Sequence, residues 1–248
     1  MNKTWTIDIN CDVGEGLHNE AQLFPFISSC NLACGGHAGD PETMNRVIRL
    51  AIKHNIKIGA HPSYPDREHF GRKSMSLPTE EFKESIRVQV DLLETMIRDH
   101  GDSMYHIKAH GALYNDLAKD KELAKIYLES ILQYKETIFL YAAYGSVLAE
   151  EALKMGYKII YEAFGDRNYR KDLSLVPRSW TNALITDPKL VLNHLLQMIK
   201  KGHVKVHEGD LVPIMADTFC IHSDTVSAYE ILMYLTKELP KHHIHLEK

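Results

Sequence analysis

Asn10-Cys-Asp-Val-Gly-Glu15 follows directly on the strand-like run Trp5–Asn10, and the abruptness of that change decides the fold. A short, largely apolar segment ends in carboxylates, and the device recurs along the chain. His37-Ala-Gly-Asp40 follows Ser28–Cys34, and His61-Pro-Ser-Tyr-Pro-Asp66 follows Ile56–Ala60. Lys108-Ala-His110 ends Met104–Lys108, Glu162 to Arg167 ends Lys158–Ala163, and His222-Ser-Asp224 ends Val212–Cys220. Thr137–Tyr141 supplies a seventh strand. Several of these runs are apolar on both faces, as buried parallel strands are. Strands alternating with helices through right-handed crossovers give either an open doubly wound sheet or a closed barrel. An open sheet gathers its ligand groups at one switch point. A barrel gathers them from many strand ends at one mouth. Six chemically loaded strand ends predict an α/β fold of the TIM-like (β/α)-barrel kind.

The helices between the strands carry legible signals. Asp40-Pro41 offers an N-cap and a proline at the first helical position, ahead of Met44, Val47, Ile48 and Ala51 at helical spacing. Thr79 opens a second helix with the stripe Phe82, Ile86, Val90, Leu93 and Ile97, ended by Gly101. Asp187-Pro188 repeats the first device with Val191, Leu195 and Met198 inward. Asp224 is expected to cap a last helix bearing Val226, Tyr229, Leu232 and Leu235, and Lys241–Lys248 to be a frayed surface tail. No repeat or linker interrupts the chain, so residues 1–248 read as one domain.

Composition narrows the function. The 248 residues carry 29 basic and 33 acidic side chains, a formal charge of −4, with no concentrated basic stretch. Nucleic acid and anionic membrane surfaces both demand one, so neither is an expected partner. The four cysteines have neither zinc-finger spacing nor the density of a disulfide framework. The run Phe139–Leu148 is too short to cross a bilayer, and the amino terminus lacks the apolar core of a signal peptide. A reduced, cytoplasmic protein is expected.

Asp8, Asn10 and Asp12 fall in phase on one strand and face one side, which in a barrel can be the lumen. Buried carboxylates require a reason, although Asp12 and Glu15 could instead organise the Gly14/Gly16 turn. His37 lies in a glycine-rich turn that either approaches a ligand or merely bends the chain. His61 sits in a loop stiffened by Pro62 and Pro65, beside Tyr64 and Asp66. Arg72 is suited to clamping a carboxylate, or to solvent. Lys108 and His110 share a face, a pairing suited to oxyanion stabilisation and proton transfer. Tyr114 and Asn115 follow them. Glu162, Asp166 and Arg167, with Arg178 downstream, bring acids and arginines together, and His222 ends the last strand. No phosphate-binding loop, dinucleotide turn, nucleophile elbow or H-E-x-x-H run occurs.

Taken together, Asp8-Ile-Asn-Cys-Asp-Val-Gly-Glu15, Asn31 to Pro41, Gly59 to Asp66, Phe70-Gly-Arg-Lys73, His110 to Asn115, Glu162 to Tyr169 and Cys220 to Thr225 resemble the LamB/YcsF family from about Trp5 to Leu235. The resemblance implies a seven-stranded barrel of the glycoside hydrolase/deacetylase type. It implies ATP-dependent opening of the 5-oxoproline lactam to glutamate, in concert with B and C subunits. ATP, with its Mg2+, would be the co-substrate of that complex, and a homo-oligomer is compatible with it. In that scheme Asp12 and His61 manage water and proton, Lys108 and His110 face the oxyanion, and Arg72 or Arg178 holds the substrate carboxylate. Three departures stand out: Gly36 in place of an aromatic residue, Ser223 in place of glycine, and Lys171-Asp-Leu-Ser without an Asp-Gly. A metal-dependent amidohydrolase or deacetylase, with Asp12, His37 and His61 as ligands, is the competing reading. A non-catalytic member of the complex is the third.

Overall fold

The computed structural model describes residues 3–247. Its strands are β1 (Trp5–Val13), β2 (Ser29–Ala33), β3 (Lys57–His61), β4 (His106–Ile107), β5 (Phe139–Ala143), β6 (Lys158–Phe164), β7 (His203–Lys205), β8 (Leu211–Pro213), β9 (Thr218–Cys220) and β10 (Ile244–Leu246). The helices are α1 (Glu20–Leu23), α2 (Pro41–Lys53), α3 (Thr79–Asp99), α4 (Gly111–Leu117), α5 (Lys121–Ser130), α6 (Val147–Lys154), α7 (Pro188–Lys201) and α8 (Ala228–Glu238). Seven parallel strands run β1-β2-β3-β4-β5-β6-β9, and β9 pairs back onto β1 to close a barrel. Among the described residues no helix is long and apolar enough to cross a membrane.

Local chemistry explains most of the frame. The Asp40 carboxylate accepts the Thr43 N–H at 2.8 Å, and Asp187 accepts from the N–H groups of Lys189 and Leu190. Both acids satisfy donors that a helix start leaves without partners. The expected stripes of α2, α3 and α7 are all buried. Each fully buried aliphatic side chain contributes about 1.5–3 kcal/mol. On β1 the two faces part company. Ile7, Ile9, Cys11 and Val13 join the hydrophobic core, while Asp8, Asn10 and Asp12 are buried with the other phase.

Three expectations are corrected. The run Val212–Cys220 is two strands. Pro213 has no N–H to give a central ladder, so it lies in β8, which pairs antiparallel with β7 outside the barrel. Only Thr218–Cys220 closes the ring. The last helix begins at Ala228 after Ser227, without Asp224 as its cap. Val226, expected inward, is 98% exposed, and Ala228, Ile231, Leu232 and Leu235 make the buried face. The tail is not frayed. Ile244–Leu246 extends the sheet beside Trp5–Ile7, and Ile244 is fully buried. Lys248 lies outside the described residues.

Candidate active site

A cavity of about 420 Å3 opens at the carboxyl ends of the barrel strands. Asp12 from β1, His61 from β3, Lys108 and His110 behind β4, and His222 behind β9 all line it. So do Arg72, Tyr114, Asn115, Arg167 and Arg178. Residues dispersed over more than 200 positions thus share one cup, as the strand ends imply.

Its floor is an ionised triad. Lys108 Nζ lies 3.0 Å from Asp12 Oδ1 and 2.8 Å from Glu162 Oε1. Burial alone would raise the Asp12 carboxyl, but the Lys108 ammonium, then His61, outweigh it and hold Asp12 well below the usual carboxylate range. Burial alone would lower Lys108, yet Asp12, Cys220 and Glu162 keep it well above the usual ammonium value. Asp12 therefore stands as a carboxylate within a buried floor.

Beside it the two histidines form a relay whose protons can be placed. A carbonyl oxygen only accepts, so His61 Nδ1–H donates to Lys108 O at 2.8 Å and His110 Nε2–H donates to Phe70 O at 2.9 Å. The inner nitrogens, His61 Nε2 and His110 Nδ1, face each other at 3.0 Å. Burial first, then His37 and His61, hold His110 well below the usual imidazole value, so it is neutral and its Nδ1 is bare. His61 Nε2 also lies 3.4 Å from Asp12 Oδ1, so the two inner nitrogens and the carboxylate share one short path for a proton. The Phe70 carbonyl that fixes His110 comes from a residue at φ 55°, a left-handed conformation strained for a phenylalanine. Gly71, at φ 61°, brings that turn against His37 and His110 so closely that a side chain there would crowd both.

His37 stands behind the cup, not in it. Its ring stacks on His110 at 3.5 Å with an interplanar angle of 1°, and its Nε2 meets Glu15 Oε1 at 2.9 Å. Burial, then Asp12, pushes the Glu15 carboxyl up to about 7. On the opposite wall Asp166, fully buried, accepts from His222 Nδ1 at 2.9 Å, from the His222 N–H and from Thr225 Oγ1. Burial would raise Asp166, but the His222 ring and these donors keep it lowered. His222 is thereby held with Nδ1 engaged and its remaining nitrogen available to the cavity it lines. At the rim Asp224 joins two loops, 2.6 Å from Arg72 and 3.1 Å from Arg178.

Other expected site residues are placed elsewhere. Tyr64 is outside the cup: its ring is buried against Phe82, and its hydroxyl donates to Asp116. Asn10 lies below the cavity, donating to Thr218 and accepting from Asn31. Glu162 and Asp166 act through Lys108 and His222 and do not line the main cavity. Arg167 lines it, but its guanidinium donates to the carbonyls of Val176 and Ala183 and so shapes the loop. Arg178 and Arg72 are the rim cations, and Asn115 donates to Gly111 O. The space above Gly36 is occupied by Gln89 and Ser63, leaving no room for a larger side chain without displacing them. Sequence reasoning missed Asn31 and His106, which lie in the lumen beneath Asp12. Asn31 was legible as the polar member of Cys30-Asn-Leu-Ala33, and His106 as the residue two before Lys108.

The cup also contains atoms suited to a divalent cation. Asp12, Glu15, His61 and His110 each offer a ligand atom, all within 4.8 Å of one another. The separations Asp12–His61 (3.4 Å), His61–His110 (3.0 Å) and His110–Glu15 (3.4 Å) are close to the roughly 3.4 Å edge of a tetrahedral site with bonds of about 2.1 Å. His37, expected as a ligand, is replaced in this set by Glu15 and His110.

The model of the LamB/YcsF family matches residues 7–248, and the chain belongs to that family. Two similar relatives are both named as the A subunit of 5-oxoprolinase. The one from Haemophilus influenzae (strain PittEE) is 37% identical over 238 residues, covering 96% of this chain and 97% of its own. The one from Pyrococcus abyssi is 39% identical, covering 94% and 93%. The crystal structure of the lactam utilization protein from Thermus thermophilus superposes with a TM-score of 0.90 at 34% identity, covering 98% of this chain and 99% of that one.

Proposed function

We propose that this protein is the A subunit of a cytoplasmic, ATP-dependent 5-oxoprolinase, and that its cup hydrolyses the activated lactam of 5-oxo-L-proline to L-glutamate beside B and C subunits. The observation that carries the reading is the meeting of Asp12, His61, Lys108, His110 and His222 around one cavity, in a chain whose relatives are named for that activity. A lactam is a resonance-stabilised amide, so its carbonyl needs activation before water attacks it. With no standard phosphate-binding loop in this sequence, activation by ATP is assigned to the partner subunits or to an unconventional site here.

The residues then divide the remaining work. Water adds to the ring carbonyl carbon as Asp12 takes its proton. Lys108 and His61 face the oxygen on which negative charge develops and stabilise it. The carbon–nitrogen bond breaks, and His222, oriented by Asp166, supplies the proton that turns the nitrogen into an amine. The phosphoryl group that ATP placed on the carbonyl oxygen is then lost to a second water as inorganic phosphate, leaving the free side-chain carboxylate of glutamate. Arg72 and Arg178 receive the substrate carboxylate, displacing Asp224. The test is glutamate release from 5-oxoproline and ATP, with and without the B and C proteins. Glutamate should appear only in the full mixture and fall at least a hundredfold with Asp12→Asn. Undiminished turnover by that variant would remove Asp12 from this scheme, and turnover untouched by mutation of His61 and His110 would make the chain a non-catalytic member of the complex.

The spacing of the four ligand atoms favours a second reading, a metal-dependent amidohydrolase. A divalent ion held by Asp12, Glu15, His61 and His110 would supply an acidified water. Activity that survives complete removal of metal by chelation rejects it.

A further inference from the structure

Asp12 has two oxygens, and the structure treats them differently. Oδ1 receives Lys108 Nζ at 3.0 Å, Asn31 Nδ2 at 2.8 Å and, at 3.4 Å, His61 Nε2. None of these contacts falls on Oδ2. The partner least explained by charge is Asn31, a fully buried amide within β2. Both of its N–H bonds are spent, one on Asp12 Oδ1 and one on Asn10 Oδ1 at 2.7 Å. Its own Oδ1 must then accept, and His106 Nε2 supplies the donor at 2.6 Å. Flipping the amide would set oxygen against two acceptors, so the orientation has only one self-consistent form.

His106 is in turn fixed by packing. Its ring is fully buried, stacked on Tyr141 at 3.8 Å and 7°, and it occupies the space where any residue but glycine at position 59 would place a Cβ. Burial first, then the Lys108 charge, keeps its imidazole well below the usual value, which leaves a neutral ring with a single N–H. Asn31 claims that hydrogen, so Nδ1 is bare, and it is buried with no hydrogen-bond partner among the described residues. An orphaned lone pair in the barrel is a cost that packing alone would remove by substituting an apolar ring. What the ring offers that an apolar one would not is the Nε2–H that Asn31 Oδ1 accepts.

We propose that His106 and Asn31 are positioning residues: the file His106–Asn31–Asp12 anchors Oδ1 of Asp12 in the floor and leaves Oδ2 as the oxygen that takes the water proton. This rests on the reading of Asp12 as the base of a lactam hydrolase. Three elements cooperate, β2 through Asn31, β4 through His106 and β3 through Gly59, and none of the three residues touches the main cavity.

The experiment compares His106→Phe with His106→Gln in the full complex. Phenylalanine keeps the stack on Tyr141 but removes the donor; glutamine keeps an N–H near the position of Nε2. The phenylalanine variant should lose roughly 10–100-fold in kcat with KM for 5-oxoproline within about twofold, while glutamine restores most of the rate. A structural role alone would move both variants alike. If both retain wild-type kcat, or lose it equally, the positioning role is overturned while the hydrolase reading stands. If the wild-type complex releases no glutamate, both fall. A second measurement needs no variant to fold: nitrogen-15 spectra of the wild-type imidazoles should show His106 protonated at Nε2 only, and protonation at Nδ1 overturns the file.

Discussion

Lys108→Met offers the sharpest test of the floor of the cup. The substitution preserves length and apolar stem while removing an ammonium that is 2% exposed and lies within 3.0 Å of two carboxylates. Breaking one buried pair costs about 3–5 kcal/mol, because the partner stays charged without compensation. Here the bereft groups are Asp12 and Glu162. The variant native state relieves itself by binding a proton that the unfolded chain does not bind, since an unpaired buried carboxyl is pushed above its ordinary value. Native protein then holds more protons than unfolded protein, so stability falls as pH rises, by up to about 1.4 kcal/mol per pH unit for each such carboxyl. Urea unfolding at pH 8 should show a loss of about 3–5 kcal/mol relative to wild type, shrinking steadily as the pH is lowered toward 5. Adding Glu162→Gln should recover part of the loss at pH 8, because one of the two stranded charges is gone. A loss below about 1 kcal/mol at pH 8, or the same loss at both pH values, refutes the ionised triad.

Three further outcomes are expected. Gly59→Ala sets a methyl against the His106 ring; overpacking of this kind costs about 1–3 kcal/mol, and thermal unfolding of the variant checks it. Asp187→Ala removes the acceptor for two N–H groups at the start of α7 and should cost about 1 kcal/mol in urea. His194 is held down to about 4 by burial, so the unfolded chain binds a proton there between about pH 6.5 and 4 that the native chain refuses. Wild-type stability should therefore fall through that window by an amount of the order of 3 kcal/mol, and His194→Leu should flatten the slope, as read from unfolding curves at pH 7 and 4.5.

The barrel was legible because six of the seven strand ends change character within about three residues, as Ile9 to Asp12 and Ile107 to His110 show. Helices announced by Asp-Pro were legible too, since the cap is a local interaction. Asp224 failed that test for a physical reason: the same carboxylate that suits a cap also suits an ion pair, and Arg72, 152 positions away, claims it. The β8 segment was hidden because Leu211-Val-Pro and Thr218-Phe-Cys are both short apolar runs, and only the missing N–H of Pro213 separates them. His61 and His110 were identified singly, but their proton relay depends on the carbonyls of Lys108 and Phe70, which have no signature in a string of side chains. Tyr64 stood beside His61 in sequence and pointed the other way, toward Asp116.

The first strand is held along its length by three neighbours in succession: β10 over Trp5–Ile7, β9 over Asp8–Asn10 and β2 over Asn10–Val13. The last of the chain's strands is therefore a selvedge sewn onto the first. Were it peeled away, the amide and carbonyl groups of Trp5 to Ile7 would be bared as a raw margin, the kind of template on which one molecule recruits another. The few residues around Ile244 thus keep that margin covered, at the end of the barrel opposite the cup.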